Sequence, residues 1–224
     1  TPGRAKVLVT LGTANADAGG RFLAVCREAL RERADRVQAV LVDPGGVLPA
    51  EDGGKDLLVL PSVPQLALLE RMDAVICHAG HNTVCEALWH GVPLVTAPIR
   101  DDQPVIAAQV VDAGAGLRVK FGRGTAHRLG TALDTVLHDP AHRAAAARVR
   151  TAFRAAGGAP AAAAITPASS APAMAFCCCC GIWAKIWCAA SWPMTKASSS
   201  ALRASAISAE VKARIGRPAL SSVW

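Results

Sequence analysis

The sequence predicts an α/β domain built on a doubly wound parallel sheet. Three observations carry this. Short apolar runs alternate with helical stretches from Lys6 to Ala156. The runs are apolar throughout, as strands covered on both faces are, instead of alternating with polar residues. Gly, Pro or a polar cluster closes nearly every run, which is how α/β units are punctuated.

Taken in order, Lys6–Leu11 (KVLVTL) is a β-rich run stopped by Gly12-Thr13. Arg21–Arg33 places Phe22, Leu23, Val25, Cys26, Ala29 and Leu30 on one helical face. Val37–Val42 is the second strand, ended by Asp43-Pro44-Gly45-Gly46, and Leu57–Leu60 the third, ended by Pro61. Gln65–Glu70 is a short helix, Ala74–Cys77 an apolar strand, and His81–His90 a helix stopped by Gly91 ahead of Pro93. Leu94–Ala97 and Leu117–Val119 are strands around a helix at Gln103–Ala113. Thr125–His138 and Pro140–Ala156 are helices, the second with Pro in its first turn.

Composition breaks near residue 159. Residues 1–159 hold 18 Lys+Arg and 16 Asp+Glu, whereas residues 160–224 hold 6 and 1, so most of the net charge of +7 sits in the tail. Ser62 is the only serine before the break, and ten follow it. The expected organisation is a domain over residues 1–158 and an Ala/Ser/Cys/Trp-rich tail over 159–224, disordered or frameshifted. The near-neutral domain argues against a phosphate-backbone binder, so no nucleic-acid partner is expected. Residues Ala155–Ala184 carry no charge, but Pro160, Pro167 and Pro172 interrupt them and Ala173–Ala184 is too short to span a bilayer, so no membrane partner is expected either. A cytoplasmic protein without disulfides fits this balance.

In a parallel sheet ligands bind beyond the carboxyl ends of the strands. The most informative segment there is His78-Ala79-Gly80-His81-Asn82-Thr83-Val84-Cys85-Glu86. Gly80 lets a ligand approach the backbone, and the free N–H groups of a helix starting at His81 form an anion site with its dipole. Asn82 and Thr83 add side-chain donors, and Glu86 lies one turn along from Asn82, where a carboxylate suits the two hydroxyls of a ribose. His78 leaves the strand end and can donate to a phosphate oxygen. The plainer reading makes Asn82 and Thr83 helix caps and Glu86 a solvated residue. Asp101, Asp102 and Gln103 follow the next strand; they suit sugar hydroxyls, or an aspartate caps the helix beyond Pro104.

Together Gln65, His78, Gly80, Asn82, Thr83, Glu86, Gly91-Val92-Pro93, Pro98 and Asp102-Gln103 resemble the nucleotide-sugar signature of the UDP-glycosyltransferase family with the GT-B fold, most nearly its bacterial macrolide-type members. The resemblance covers residues 1–158 and implies the family's Rossmann-like C-terminal, donor-binding domain. It implies that His78, Gly80, Asn82 and Thr83 hold the diphosphate of a UDP- or TDP-sugar, with Gly12 and Thr13 approaching it. Glu86 would bind the ribose, Val63 would offer backbone contacts to the base, Gln65 would lie beside the nucleoside, and Asp102 and Gln103 would hold the transferred sugar. Ser62 stands where plant members have a base-stacking Trp, and the gap from Gln65 to His78 is two residues shorter than theirs, which leaves uracil or thymine open. The implied reaction is hexose transfer with inversion to a hydroxyl of a small aglycone, as in antibiotic biosynthesis. The family's general base belongs to an N-terminal acceptor domain that is missing from this chain. No catalytic residue, metal or cofactor is therefore assigned to it.

Four consecutive cysteines, Cys177–Cys180, do not have the paired spacing of a zinc site. The tail reads better as a frameshift: Ala164-Ile165-Thr166 is compatible with GCG ATC ACC, which one base over contains Asp-His codons. Two other readings of the whole chain remain: an inactive gene remnant that at most binds nucleotide, and a nucleotide-sugar epimerase of the same fold, for which no acid–base residues are evident.

Overall fold

The computed structural model describes residues 3–12, 19–48 and 56–157. Thr13, the Cys177–Cys180 run and the tail reading lie outside the described residues. Six strands form one parallel sheet: β1 (Ala5–Thr10), β2 (Val37–Val42), β3 (Leu57–Leu60), β4 (Ala74–Cys77), β5 (Leu94–Thr96) and β6 (Gly116–Arg118). The helices are α1 (Gly20–Arg31), α2 (Gln65–Leu69), α3 (His81–Trp89), α4 (Gln103–Asp112), α5 (Ala126–His138) and α6 (Pro140–Ala155).

The sheet order is β3-β2-β1-β4-β5-β6. The chain winds outward from β1 to β3, then returns to β4 on the other side of β1 and winds outward again. The reversal point is therefore between β1 and β4, paired with Val9 opposite Ile76 and Thr10 opposite Cys77. A crevice opens at such a point, beyond the carboxyl ends of the two strands.

Both sheet faces are covered, which explains the unbroken apolar strands. On β1, Val7 and Val9 join one core with Phe22, Leu23, Cys26, Leu129 and Leu133, from α1 and α5. Leu8 points the other way, into a core with Leu69, Val84, Leu88, Ile106, Val110 and Phe153, from α2, α3, α4 and α6. These side chains are essentially without solvent exposure, and burial of each large aliphatic is worth ~1.5–3 kcal/mol. The strands and helices thus follow the sequence expectation closely. The one shift with a clear cause is β6, which begins at Gly116 instead of Leu117. A Cβ on Gly116 would lie 2.0 Å from the Leu94 carbonyl oxygen, so only glycine lets β6 pair with β5 there.

Polar side chains tie the amino-terminal edge. Arg33 is buried and grips Asp134 of α5, with Nε 3.1 and 3.0 Å from the two carboxylate oxygens and Nη1 2.8 Å from the Ala29 carbonyl. Gly130 provides the slot: any Cβ there would meet the guanidinium at 2.1 Å. Asp73, ahead of β4, accepts from the Lys6 N–H at 2.8 Å and from Arg143 of α6 at 2.8 Å. Thr125 and Asp139 cap α5 and α6.

Candidate functional site

Four loops meet at the carboxyl edge around the β1/β4 crevice. Gly12 follows β1, Val63 and Gln65 follow β3, His78–Gly80 follows β4, and Asp101–Gln103 follows β5. At their centre is His78, which is 8% exposed. Its imidazole is held between two glycines. A Cβ on Gly80 would lie 2.3 Å from Nε2, and one on Gly12 would lie 3.1 Å from Cε1. Gly12 also has φ +67°, a left-handed backbone that glycine alone adopts without cost.

His78 Nδ1 is buried and has no hydrogen-bond partner. An unpaired buried polar atom costs free energy, so it marks a position where a ligand or water completes the bonding. Burial lowers the pKa of this histidine below its usual value, while the Asp102 carboxylate and the Thr10 backbone oppose that shift. The ring is therefore neutral at neutral pH, with one donor and one acceptor nitrogen.

The turn from β4 into α3 runs through Ala79 at φ +64° and then Gly80 at φ −63°, ψ 138°, which is the N-cap. No side chain caps α3. Asn82 and Thr83 are thus first-turn residues and not caps, and the α3 amino end faces the crevice with its dipole open to an anion. The neighbouring Cys77 thiol is buried, which pushes it up to about 12 and leaves it a packing residue.

One turn into α3, Glu86 receives the Gln65 side chain: Gln65 Nε2 is 2.6 Å from Glu86 Oε2 and 3.5 Å from Thr83 Oγ1. Thr83 is buried, Glu86 half-buried and Asn82 exposed. Val63 is partly buried against the α3 core, beside this trio.

After β5, Asp101 has φ +56°. Asp102 occupies the N-cap of α4 but its side chain caps nothing; it is exposed and influences His78 instead. The capping alternative therefore fails for the side chain. Gln103 is 6% exposed, and its Oε1 accepts from the N–H groups of Ile99 at 2.9 Å and Arg100 at 3.2 Å. Its carbonyl end thus braces the loop, and the amide N–H2 is what it has left to offer a ligand.

The structure therefore brings Gly12, His78, Gly80, Asn82, Thr83 and Asp102 around one crevice, with Gln65, Val63 and Glu86 at its α2–α3 side and Gln103 beneath the β5 loop. Sequence reasoning did not find Thr10, whose backbone flanks His78 and whose Oγ1 accepts from the Gly12 N–H at 3.4 Å. The pairing of Thr10 with Cys77 is what brings it there. Among the described residues no three His, Cys, Asp or Glu cluster as metal ligands, and no helix is long and apolar enough to cross a membrane.

Residues 55–167 match the family model for the erythromycin biosynthesis protein CIII-like C-terminal domain. The chain belongs to this family. The CIII-like domain is accompanied by wider likeness to sugar-transferring enzymes. The chain is 36% identical over 159 residues to demethyllactenocin mycarosyltransferase of Streptomyces fradiae, covering 70% of this chain and 34% of that protein. In three dimensions it resembles the glycotransferase of kitacinnamycin, with a TM-score of 0.64, 32% identity, and coverage of 70% of this chain and 41% of that one. It also resembles the glycosyltransferase VinC, solved in complex with DTDP, with a TM-score of 0.56, 26% identity, and coverage of 69% and 39%. The chain spans about a third of the length of the curated relatives it matches, 35% and 34% for the first two. The CIII-like domain and its neighbours share the α/β, Rossmann-like half of the GT-B fold.

Proposed function

We propose that residues 1–158 bind the nucleotide-sugar donor of a macrolide-type glycosyltransferase, an enzyme that moves a hexose to a hydroxyl of a small aglycone. The observation that carries this is the buried His78 Nδ1 without a partner, held between Gly12 and Gly80 in front of an uncapped helix amino end. A neutral donor beside a helix dipole suits a diphosphate, which is both the anchor of the donor and the leaving group. The mycarosyltransferase and VinC relatives, the latter seen with DTDP, support a nucleoside-diphosphate sugar as the donor class. Whether the nucleoside carries uracil or thymine is a choice made around Val63 and Ser62.

Transfer requires an acceptor oxygen to attack the anomeric carbon while the diphosphate leaves on the opposite side, with inversion. Negative charge grows on the departing phosphate. The first-turn N–H groups of α3 and the His78 imidazole are preorganised to stabilise it, which is where electrostatic catalysis acts. Glu86 would accept from the nucleoside sugar, and Asp102 with the Gln103 amide from the transferred sugar. The general base that takes the acceptor proton would come from an acceptor-binding domain, as would the other wall of the cleft.

Calorimetry tests this with UDP, TDP and inorganic pyrophosphate. Glu86→Ala is expected to weaken UDP by about tenfold, the worth of a hydrogen bond to a charged group, with little loss for pyrophosphate. Equal loss of both ligands would remove Glu86 from the nucleoside site, and no binding of either would refute the donor reading.

A further inference from the structure

The β6 corner of the sheet, beside the proposed donor site, carries cations with no acid to meet. From Ala113 to Leu133 the chain holds Arg118, Lys120, Arg123 and Arg128 and no Asp or Glu. Arg118 ends β6, Lys120 and Arg123 lie on the loop that follows, and all three are exposed. Among the described residues none of these three forms an ion pair, whereas Arg33, Arg36 and Arg143 of the opposite edge pair with carboxylates.

The loop after β6 is held against α1, the helix that follows β1. Phe121 stacks on Phe22 with ring centroids 4.8 Å apart. Arg21 donates to the Gly122 carbonyl at 2.6 Å and to the Gly124 carbonyl at 3.4 Å. Both anchors lie in the first turn of α1, so the loop is drawn from the rim of the sheet toward β1 and the crevice. β5 alone separates β6 from β4. Strands lie about 4.8 Å apart, so the end of β6 stands two spacings, roughly 10 Å, from the end of β4 that leads to His78. The Debye length is ~10 Å in 0.1 M salt and ~30 Å in 0.01 M, so charges at this range act through space on an anion in the crevice. In the loops after β5 and β6, Arg100 lies 3.6 Å from Asp101, which leaves Asp102 as the opposing charge.

We propose that Arg118, Lys120 and Arg123 form a steering rim: they draw the anionic diphosphate of the donor toward the crevice without touching it, and so set its association rate. This rests on the donor-site reading above. Like charges grouped beside a cleft raise the local concentration of a counter-charged ligand. Such an effect appears in the on-rate and its salt dependence and leaves the off-rate to the groups in contact with the ligand. Exposed cations without carboxylate partners suit this role, because a paired cation presents little net charge to an approaching anion.

The test uses the full 224-residue chain and UDP. Calorimetry gives the dissociation constant, phosphorus NMR line shapes of UDP give the off-rate, and the two together give the on-rate. Lys120→Gln/Arg123→Gln is compared with Arg71→Gln/Arg148→Gln, which removes the same charge from exposed positions ahead of β4 and on α6. In ~10 mM salt the first pair is expected to slow association about threefold with the off-rate unchanged, and at ~1 M salt the difference is expected to vanish. The second pair is expected to leave both rates as in wild type. Equal slowing by both pairs would assign the effect to net charge and overturn the proposal. A change confined to the off-rate, which would make these residues contacts, overturns it too, as does an unchanged on-rate at low salt. Failure of the wild-type chain to bind UDP refutes the donor site itself, whereas UDP binding with any of these patterns refutes only the steering rim.

Discussion

Gly80→Ala isolates the grip on His78. Gly80 has φ −63° and ψ 138°, a conformation any residue adopts, so the added methyl carries no backbone strain. Its cost is steric. The new Cβ would stand 2.3 Å from His78 Nε2, 2.7 Å from Cε1 and 3.3 Å from Cδ2, so the imidazole has to leave its position. A Cβ on Gly12 would also crowd the ring, at 3.1 Å from Cε1, so the imidazole occupies space that both glycines leave open. Overpacking of this kind costs ~1–3 kcal/mol. The displaced ring also loses its aim at the diphosphate, which is expected to lower UDP affinity by about tenfold or more, the value of a hydrogen bond to a charged group. Urea denaturation reads the first effect and calorimetry the second. The decisive comparison is Gly80→Ala placed on His78→Ala. With the ring gone, the methyl occupies vacated space, and its cost should fall to within about 0.5 kcal/mol of zero. If Gly80→Ala destabilises both backgrounds equally, the clash is not with the imidazole. If stability falls but UDP binds as before, His78 is not a diphosphate ligand.

Two further expectations concern neighbouring groups. Gln103→Ala strands the N–H groups of Ile99 and Arg100 and is expected to cost ~1–3 kcal/mol of stability, whereas Gln103→Glu keeps an accepting oxygen for them and exchanges the amide donors for a second, charged carboxylate oxygen. Calorimetry on Gln103→Glu should therefore show weaker UDP-glucose with UDP unchanged; a parallel fall in both would make Gln103 a brace alone. The second expectation is a pH dependence. Because burial lowers the His78 pKa in the folded chain, the unfolded chain takes up that proton first as acid is added. The associated stability is complete above the ordinary value of 6.5 and is lost as pH falls through the folded value. Melting temperatures measured from pH 7 downward should drop further for wild type than for His78→Gln, and identical slopes would show that this histidine is not the titrating group.

The sheet was legible because its residues leave few alternatives. Runs such as Ala74–Cys77, buried on both faces, have only a parallel-sheet interior to occupy, and Gly91 and Pro93 punctuate the return to the sheet. In the proposed site, local sequence and geometry coincide at Gly80, which opens α3 with no side-chain cap, as its place before the helix suggested. What escaped depends on contacts across the fold. The influence of Asp102 on His78 requires β4 and β5 to be neighbours, which neither loop encodes. The bond between Gln65 and Glu86 spans 21 positions and two helices. Gln103 looked like a sugar ligand and nothing more, because the N–H groups it satisfies belong to a loop whose shape is set by Asp101 in the left-handed region. Ala79 gave no hint of its positive φ, since alanine has no preference for that region; full burial of its methyl group in the α3 core holds it there.

The two edges of the sheet divide the labour between scaffold and ligand. At the amino-terminal edge the charged groups satisfy one another: Arg33 with Asp134, Arg143 with Asp73, and Arg4 with Asp56. These pairs link segments distant in sequence, and among the described residues none of their buried side-chain polar atoms lacks a partner. At the carboxyl edge the pattern inverts. His78 Nδ1 is orphaned, the amino end of α3 has no side-chain cap, and Glu86 Oε1 accepts nothing among the described residues. The described non-glycine residues with positive φ, Ala79 and Asp101, stand in the loops of this same edge. Strain and unmet polar atoms each cost on the order of 1–3 kcal/mol, and a fold keeps them only where surrounding structure over-determines them. Here that structure is the pair of dry cores beneath the loops, which fix β1, β4 and β5 whether or not a ligand is present. The described polar groups of the carboxyl edge are thus held in place by the cores beneath them, which is the arrangement that the proposed donor site requires.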